Sequence, residues 1–279
     1  MKCLEPVIEL GANVKDFKVG ERVVVRPLDW CGNCPACKAG HQHICMNLKF
    51  MGIDSPGAMQ EEWIVQSRTL HRFPDTMDFK LGALIEPLAV ACHDVRLGEV
   101  KSGDSVVVLG GRPIGMLVAM VAKATGTKVF ISEINSYRLN LAAKLGFDTI
   151  NPLENDIIEY VNTQTAGAGA DVVFEVTASQ PGATIMTELV RARGRIVAVG
   201  IFNEPPKINM FKFFWRELKL CGARVYEGQD FDNAINLAAS GKLALESIIS
   251  GVYKLEDIQS AFESFENNRQ AMKVLIKCN

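Results

Sequence analysis

Four cysteines fall within fifteen residues of one another: Cys31, Cys34, Cys37 and Cys45, spaced C-x2-C-x2-C-x7-C. Thiolates this close repel and oxidise unless an ion holds them, and a tetrahedral zinc about 2.3 Å from each sulfur does so. Gly32, Asn33, Pro35 and Gly40 lie among them, turn-forming residues that let the segment 31–45 fold back on a metal. Four sulfur ligands close the coordination shell, so the zinc expected here is structural and has no open position for substrate. An iron–sulfur cluster is the metal alternative, and four unrelated surface thiols the metal-free one.

A second signal is a glycine turn, Val106-Val107-Val108-Leu109-Gly110-Gly111-Arg112-Pro113-Ile114-Gly115, which reads G-x-G-x-x-G except at position 112. In that fingerprint the first glycine makes the tight turn, the second admits a pyrophosphate and the third lets helix pack on strand. The segment follows an apolar strand and opens a helix, and Glu133 stands eighteen residues beyond Gly115 at the end of the next strand. A carboxylate there accepts both ribose hydroxyls of an adenosine and repels a 2′-phosphate, which favours NAD over NADP. Arg112 either crowds the pyrophosphate or pairs with one of its oxygens, and the sequence leaves both open. Arg138 reads as a surface arginine within reach of the adenosine ribose or phosphate. A turn that only packs helix on strand is the ligand-free reading.

These residues need scaffolds. Residues 1–75 read as strands and turns: Val7-Ile8, Val23–Val25, the cysteine lobe and Trp63–Val65. From about residue 86 the pattern becomes helices alternating with apolar strands. Pro87 suits the first turn of a helix that Gly98 ends. Strands are expected at 105–109, 128–132, 171–174 and 195–199, with helices at 113–124, 136–145 and 182–190. Such alternation indicates an α/β fold, a doubly wound parallel sheet with helices on both faces. After residue 223 two helices, near 230–240 and 255–266, precede a strand at 273–276. Neither an internal repeat nor a low-complexity linker is evident.

The 279 residues suit one large or two modest domains, and 48% hydrophobic with 22% charged residues is an ordinary globular composition. Thirty basic against thirty-two acidic side chains give a net charge of −2, which offers no field for nucleic acid or an anionic membrane. The longest apolar charge-free stretch, Pro113–Ala122, is far shorter than the roughly 20 residues of a membrane span. Eight cysteines without a visible export signal fit a reducing cytoplasm better than a disulfide framework.

Taken together, the cysteine lobe, the glycine turn and the segment Leu84-Ile85-Glu86-Pro87-Leu88 resemble the zinc-containing medium-chain dehydrogenases, most of all the polyol and L-threonine dehydrogenase branch. The resemblance runs through Gly20-Glu21-Arg22-Val23-Val24-Val25, Pro56-Gly57-Ala58, Ala170–Glu175, Gly194–Val197 and Val199-Gly200-Ile201 to the last strand. It implies a Rossmann-type NAD-binding domain over 86–223, with 1–85 and 224–279 forming a β-rich GroES-like catalytic domain that lacks its amino-terminal part. The implied reaction is zinc- and NAD-dependent oxidation of a secondary alcohol or polyol, in a cytoplasmic homo-oligomer, dimer or tetramer. Thr177, Val199, Gly200, Ile201, Ala223 and Arg224 are implied at the nicotinamide end. Strands 197–201 and 218–225 are candidates for edge-to-edge pairing of two copies.

The family's catalytic zinc is held by a cysteine in a Gly-x-Cys-Gly-Thr-Asp segment, a histidine in a Gly-His-Glu segment and acidic residues that vary. Glu86 matches the later glutamate and is the catalytic and possible second-zinc residue by resemblance. The two earlier segments have no counterpart: aligned on Gly11, Met1 and Lys2 stand where the histidine and glutamate belong. The catalytic zinc site is therefore expected to be incomplete. His41 and His43 are expected to solvate the cysteine lobe and His71 to sit at a strand end on the surface. His93, on the face of Glu86, is expected in a structural hydrogen bond or lining the cleft. A catalytically inactive NAD-binding remnant and a zinc-stabilised interaction module are the alternative readings.

Overall fold

The computed structural model describes residues 4–278, in two compact units. One is formed by the segments up to Ala89 and from Val225 onward, the other by Val90–Arg224.

In the first unit, β1 (Leu4–Pro6), β2 (Arg22–Val25) and β5 (Leu70–Arg72) form an antiparallel sheet in the order β1-β2-β5. A two-stranded antiparallel ladder, β3 (Leu28–Asp29) with β4 (Lys49–Phe50), brackets the cysteine lobe and its single-turn helix α1 (Pro35–Lys38). Val23, Val24 and Val25 are all buried, so this central strand carries an unbroken apolar run. The helix α2 (Phe79–Gly82) is capped by Asp78, whose carboxylate accepts the Lys80 amide, and leads into α3 (Ile85–Leu97).

The second unit is a six-stranded parallel sheet of β6 (Ser105–Leu109), β7 (Lys128–Ser132), β8 (Asp148–Ile150), β9 (Ala170–Glu175), β10 (Val190–Ala198) and β11 (Lys219–Gly222). Their order is β11-β10-β9-β6-β7-β8. The chain therefore winds outward from β6 in one direction and returns to wind in the other. The crevice where ligands bind such sheets lies at this reversal, between the carboxyl ends of β6 and β9. Covering helices are α4 (Pro113–Ala124), α5 (Ser136–Lys144), α6 (Ile157–Gln164), α7 (Gln180–Leu189) and α8 (Met210–Arg216). Four of them start on side-chain caps, Asn135, Asp156, Ser179 and Asn209, that accept first-turn amides. Val106, Val107, Val108 and Val172–Phe174 are fully buried, which is the signature of strands covered on both faces.

The first unit closes with α9 (Gly228–Ala239), β12 (Ile249–Lys254), α10 (Ile258–Asn267) and β13 (Lys273–Lys277), the two strands pairing in parallel. Three expectations need correction. The first strand ends at Pro6, before Val7-Ile8, and Ile8 is exposed. Trp63–Val65 pairs with no strand among the described residues: Trp63 and Val65 are half-buried and Ile64 between them is 98% exposed, but the backbone joins no ladder. Of the two candidate edges, only β11 is one: β10, which ends at Ala198, is paired on both sides.

Candidate metal and cofactor sites

The four sulfurs meet. Cys45 Sγ lies 3.5 Å from Cys31 Sγ and 3.8 Å from Cys34 Sγ, and all four ligand atoms fall within 4.8 Å of one another. Sulfurs about 2.3 Å from a tetrahedral zinc stand about 3.8 Å apart, so the set fits the ion. Backbone amides point the same way: those of Cys31 and Asn47 donate to Cys45 Sγ at 3.4 and 3.3 Å. Amide bonds from Asn33 and Cys34 pull the Cys31 thiol down to about 6, whereas burial and the neighbouring thiols push Cys37 up to about 12. A divalent cation at the centre of the four sulfurs would hold them all as thiolates. Trp30 and Leu48 pack on the cluster.

The glycine turn joins β6 to α4. Gly110 has φ +103°, a conformation few other residues adopt, and a Cβ on Gly115 would stand 1.9 Å from the Gly110 carbonyl. First and third glycines are therefore fixed by backbone and packing. Position 112 is not: Arg112 is the N-cap residue of α4 with φ −65° and ψ 172°, its side chain exposed, and Pro113 follows at the first helical position. Ile114 is half-buried beside it. No side chain caps this helix start, and first-turn amides left in that way favour an anion.

Glu133, directly after β7, is buried at the foot of the turn. Its Oε2 accepts the Gly111 amide at 2.8 Å, and its Oε1 accepts the amides of Ile134 and Asn135, each at 2.8 Å. Arg138 donates to the same carboxylate through Nε (3.0 Å) and Nη2 (3.2 Å). The expected surface arginine is thus a partly buried partner of Glu133, and two of its guanidinium nitrogens are already engaged there.

At the carboxyl end of β9 stands a carboxylate that the sequence reading passed over. Glu175 is fully buried; it accepts the Thr177 amide (3.0 Å), the Thr177 hydroxyl and the Ala178 amide (3.2 Å). Its backbone carbonyl accepts the amides of Val199 and Gly200, both at 2.9 Å. One residue therefore fixes the Thr177 turn and the Val199-Gly200 segment that follows β10. Ile201 is 90% exposed; Ala223 continues past β11 with its amide on the Ala198 carbonyl at 3.0 Å, and Arg224 is exposed. The signal for Glu175 was present: like Glu133, it is an acid at the end of an apolar strand.

In the first unit, Glu86 occupies the opening turn of α3, where the helix dipole favours its negative charge. The fully buried Tyr226 stands beside it; burial first, then the Glu86 charge, raises the Tyr226 hydroxyl well above its ordinary value, and Arg26 opposes the shift. Among the described residues, the groups of side chains able to hold a metal are the four cysteines and His41–His43–Glu227, and Glu86 belongs to neither. The residues described do not assemble a catalytic zinc site around Glu86; Met1, Lys2 and Cys3 lie outside them. His43 is buried rather than solvated, and His71 is mostly covered, with Nδ1 2.7 Å from Asp232 and its ring against Phe231. His93 is buried, with Arg96 Nη2 3.1 Å from its Nδ1.

A parallel sheet with a glycine turn at its switch point and an acid at the end of the following strand is the arrangement of a dinucleotide-binding fold. Residues 113–240 match the zinc-binding dehydrogenase family model and residues 6–75 the alcohol dehydrogenase GroES-like domain. The chain is 54% identical over 273 residues to 2-dehydro-3-deoxy-L-galactonate 5-dehydrogenase of Pseudoalteromonas atlantica, covering 98% of this chain and 80% of the relative. To sorbitol dehydrogenase of Halalkalibacterium halodurans it is 32% identical, covering 97% and 80%. A zinc-binding dehydrogenase of Sinorhizobium meliloti solved with NADP superimposes with a TM-score of 0.92 at 30% identity, covering 99% of this chain and 82% of that one. The chain belongs to the zinc-type medium-chain alcohol and polyol dehydrogenase family, and its fold is the Rossmann-like sheet with a GroES-like domain.

Proposed function

We propose that this chain binds NAD at the glycine turn and serves hydride exchange between the nicotinamide and a secondary alcohol of a polyol or sugar acid. The observation that carries this reading is the Gly111–Glu133 hydrogen bond, which fixes an acid beside the pyrophosphate turn. NAD, when bound, supplies the hydride acceptor. Gly110, Gly111, Pro113, Ile114 and Gly115 shape the turn that receives the pyrophosphate, and the exposed Arg112 guanidinium adds a charge-assisted contact to it. Glu133 takes the ribose hydroxyls in exchange for donors that it now holds, three amides and Arg138. A 2′-phosphate would meet this buried carboxylate while Arg138 is engaged by it, which supports NAD over NADP. Glu175 orients the Thr177 turn and the Val199-Gly200-Ile201 segment at the nicotinamide end, with Ala223 and Arg224 following β11. Glu86 is the catalytic carboxylate by family resemblance.

The domain limits we adopt are 1–85, 86–223 and 224–279, with structural zinc in the lobe 31–45. Sugar acids are favoured as substrates by the name of the 54% identical relative. No helix among the described residues is long and apolar enough to cross a membrane, and we assign the chain to the cytoplasm. A homo-oligomer is supported by two features, the edge strand β11 and the exposed Met210, Phe211, Phe214 and Trp215 of α8.

One observation favours a second reading, an NAD-binding chain without turnover: Glu86 lies outside both metal-capable groups. A single experiment separates the two. NAD titration followed by fluorescence, paired with NADH formation over a panel of polyols and sugar acids, gives binding with turnover for the first and binding alone for the second. Absence of NAD binding defeats both.

A further inference from the structure

His41, His43 and Glu227 form a second metal-capable group beside the tetrathiolate, with ligand atoms all within 4.8 Å of one another. His41 Nδ1 lies 3.2 Å from Glu227 Oε1, and His43 Nδ1 lies 3.9 Å from the same oxygen. Around a tetrahedral ion, nitrogen and oxygen ligands at about 2.0–2.1 Å stand about 3.3–3.4 Å apart. The first separation already meets that spacing, and the second closes with a shift of about half an ångström. We propose that His41, His43 and Glu227 bind a divalent transition-metal ion, of the zinc class, with a fourth position left to water.

Three features support this over a plain ion pair. An exposed histidine–carboxylate pair contributes little and needs one histidine only, whereas here two imidazoles converge on one carboxylate oxygen. The second ring is 8% exposed, so its approach to that oxygen is built into the packing. The carboxylate is also oriented: Glu227 Oε2 accepts Gln229 Nε2 at 2.7 Å, and the Glu227 amide donates to Asp230 Oδ2 at 3.0 Å at the start of α9. The Glu227 side chain also accepts the Asp230 amide in a capping box, and its Oε1 is the oxygen nearest both histidines.

The histidine segment is held as firmly. It is a 3-10 turn, Gln42–Ile44, between Cys37 and Cys45, with the His41 amide on the Ala36 carbonyl at 2.8 Å and the Cys45 amide on the Gln42 carbonyl at 3.1 Å. Zinc at the four sulfurs therefore pre-positions the two imidazoles. Two nitrogens and one carboxylate oxygen suit Zn2+, Co2+, Ni2+ or Cu2+ rather than Mg2+ or Ca2+. His41 is 54% exposed and provides the way in. An ion here ties the cysteine lobe to residue 227 within the same unit, across 186 positions of sequence.

The test starts from the chain with one zinc retained per tetrathiolate and adds Co2+. The expected result is a second equivalent with visible ligand-field bands and no thiolate-to-metal charge-transfer band, accompanied by a rise in melting temperature. His41→Gln alters an exposed side chain and Glu227→Gln keeps the shape of the cap; each should weaken that equivalent at least tenfold while the retained zinc stays at one per chain. Absence of a second equivalent overturns the proposal. So does a second equivalent that binds both variants as tightly as the native chain, or one that carries the thiolate band.

Discussion

Gly111 and Glu133 meet at 2.8 Å, amide to carboxylate, so the glycine turn after β6 and the acid at the end of β7 are one rigid piece. Replacing Glu133 by Gln removes the charge and leaves Arg138 without its counter-ion. NAD affinity should fall roughly 10- to 100-fold, the worth of a charged hydrogen bond, and NADP affinity should rise relative to it. Parallel fluorescence titrations with the two dinucleotides read the ratio directly; an unchanged ratio defeats the ribose assignment.

Glu175 holds two backbone segments at once. In Glu175→Gln an amide NH2 faces amide donors in a fully buried position, at a cost of about 1–3 kcal/mol in stability. Loss of order in the Thr177 turn should weaken NAD binding as well. Denaturant midpoints and NAD titration of the same variant measure both; a loss of stability with native NAD affinity would confine Glu175 to the fold.

Cys37 is buried, and burial with the neighbouring thiols pushes its thiol up to about 12. Cys37→Ser should abolish retention of zinc through gel filtration against a chelator. Structural zinc contributes on the order of 10 kcal/mol in small zinc modules, so the lobe should unravel and the fluorescence of Trp30, which packs on it, should change. Full zinc retention in this variant would remove the structural site.

His71 titrates below its ordinary range because burial disfavours the imidazolium, with Asp232 opposing. Between the lowered folded value and about 6.5 the unfolded chain binds more protons, so stability falls as pH drops below about 6.5 and levels off beneath the folded value. The slope from this group stays under about 1.4 kcal/mol per pH unit. His71→Gln should flatten that part of the profile in urea melts taken from about pH 7.5 to 5; an identical slope in the variant rules His71 out as its source.

Trp215 is 70% exposed and stacks on Phe211, with ring centroids 5.7 Å apart, in α8, the helix that precedes the edge strand β11 in the chain. If this face joins two copies, Trp215→Glu should raise the dimer dissociation constant at least about tenfold. Light scattering across a dilution series reads the mass; a native chain that is already monomeric refutes the assignment.

The parts of this molecule legible in the sequence are those governed by short-range rules. Cysteine spacing, an apolar strand running into glycines, and an acid at the next strand end each involve neighbours in the chain, and they identified Cys31–Cys45, Gly110–Gly115 and Glu133. The residues overlooked act across distance. Tyr226 reaches Glu86, Glu227 meets His41 and His43, and Asp232 covers His71, each through tertiary packing that local periodicity does not encode. The same blindness made Arg138 a surface residue and Trp63–Val65 a strand, because one gained a partner and the other has none among the described residues. At position 112 the motif reading asked for glycine, whereas the backbone there is extended and tolerates a side chain that points to water.

The two units differ in how their chain is supplied. Val90–Arg224 is a continuous run, whereas the other unit needs both the segment ending at Ala89 and the one beginning at Val225. During synthesis the dinucleotide sheet is complete once residue 224 has emerged, while β2, β5 and the cysteine lobe await α9, which brings Glu227 and Asp232 to their histidines. Nascent chains of this protein thus pass through an interval with a finished cofactor sheet and an unfinished neighbour, exposed to the hazards of partly folded intermediates. Metal held by the four cysteines, all translated by residue 45, would give that waiting segment a fixed point before its packing partners exist.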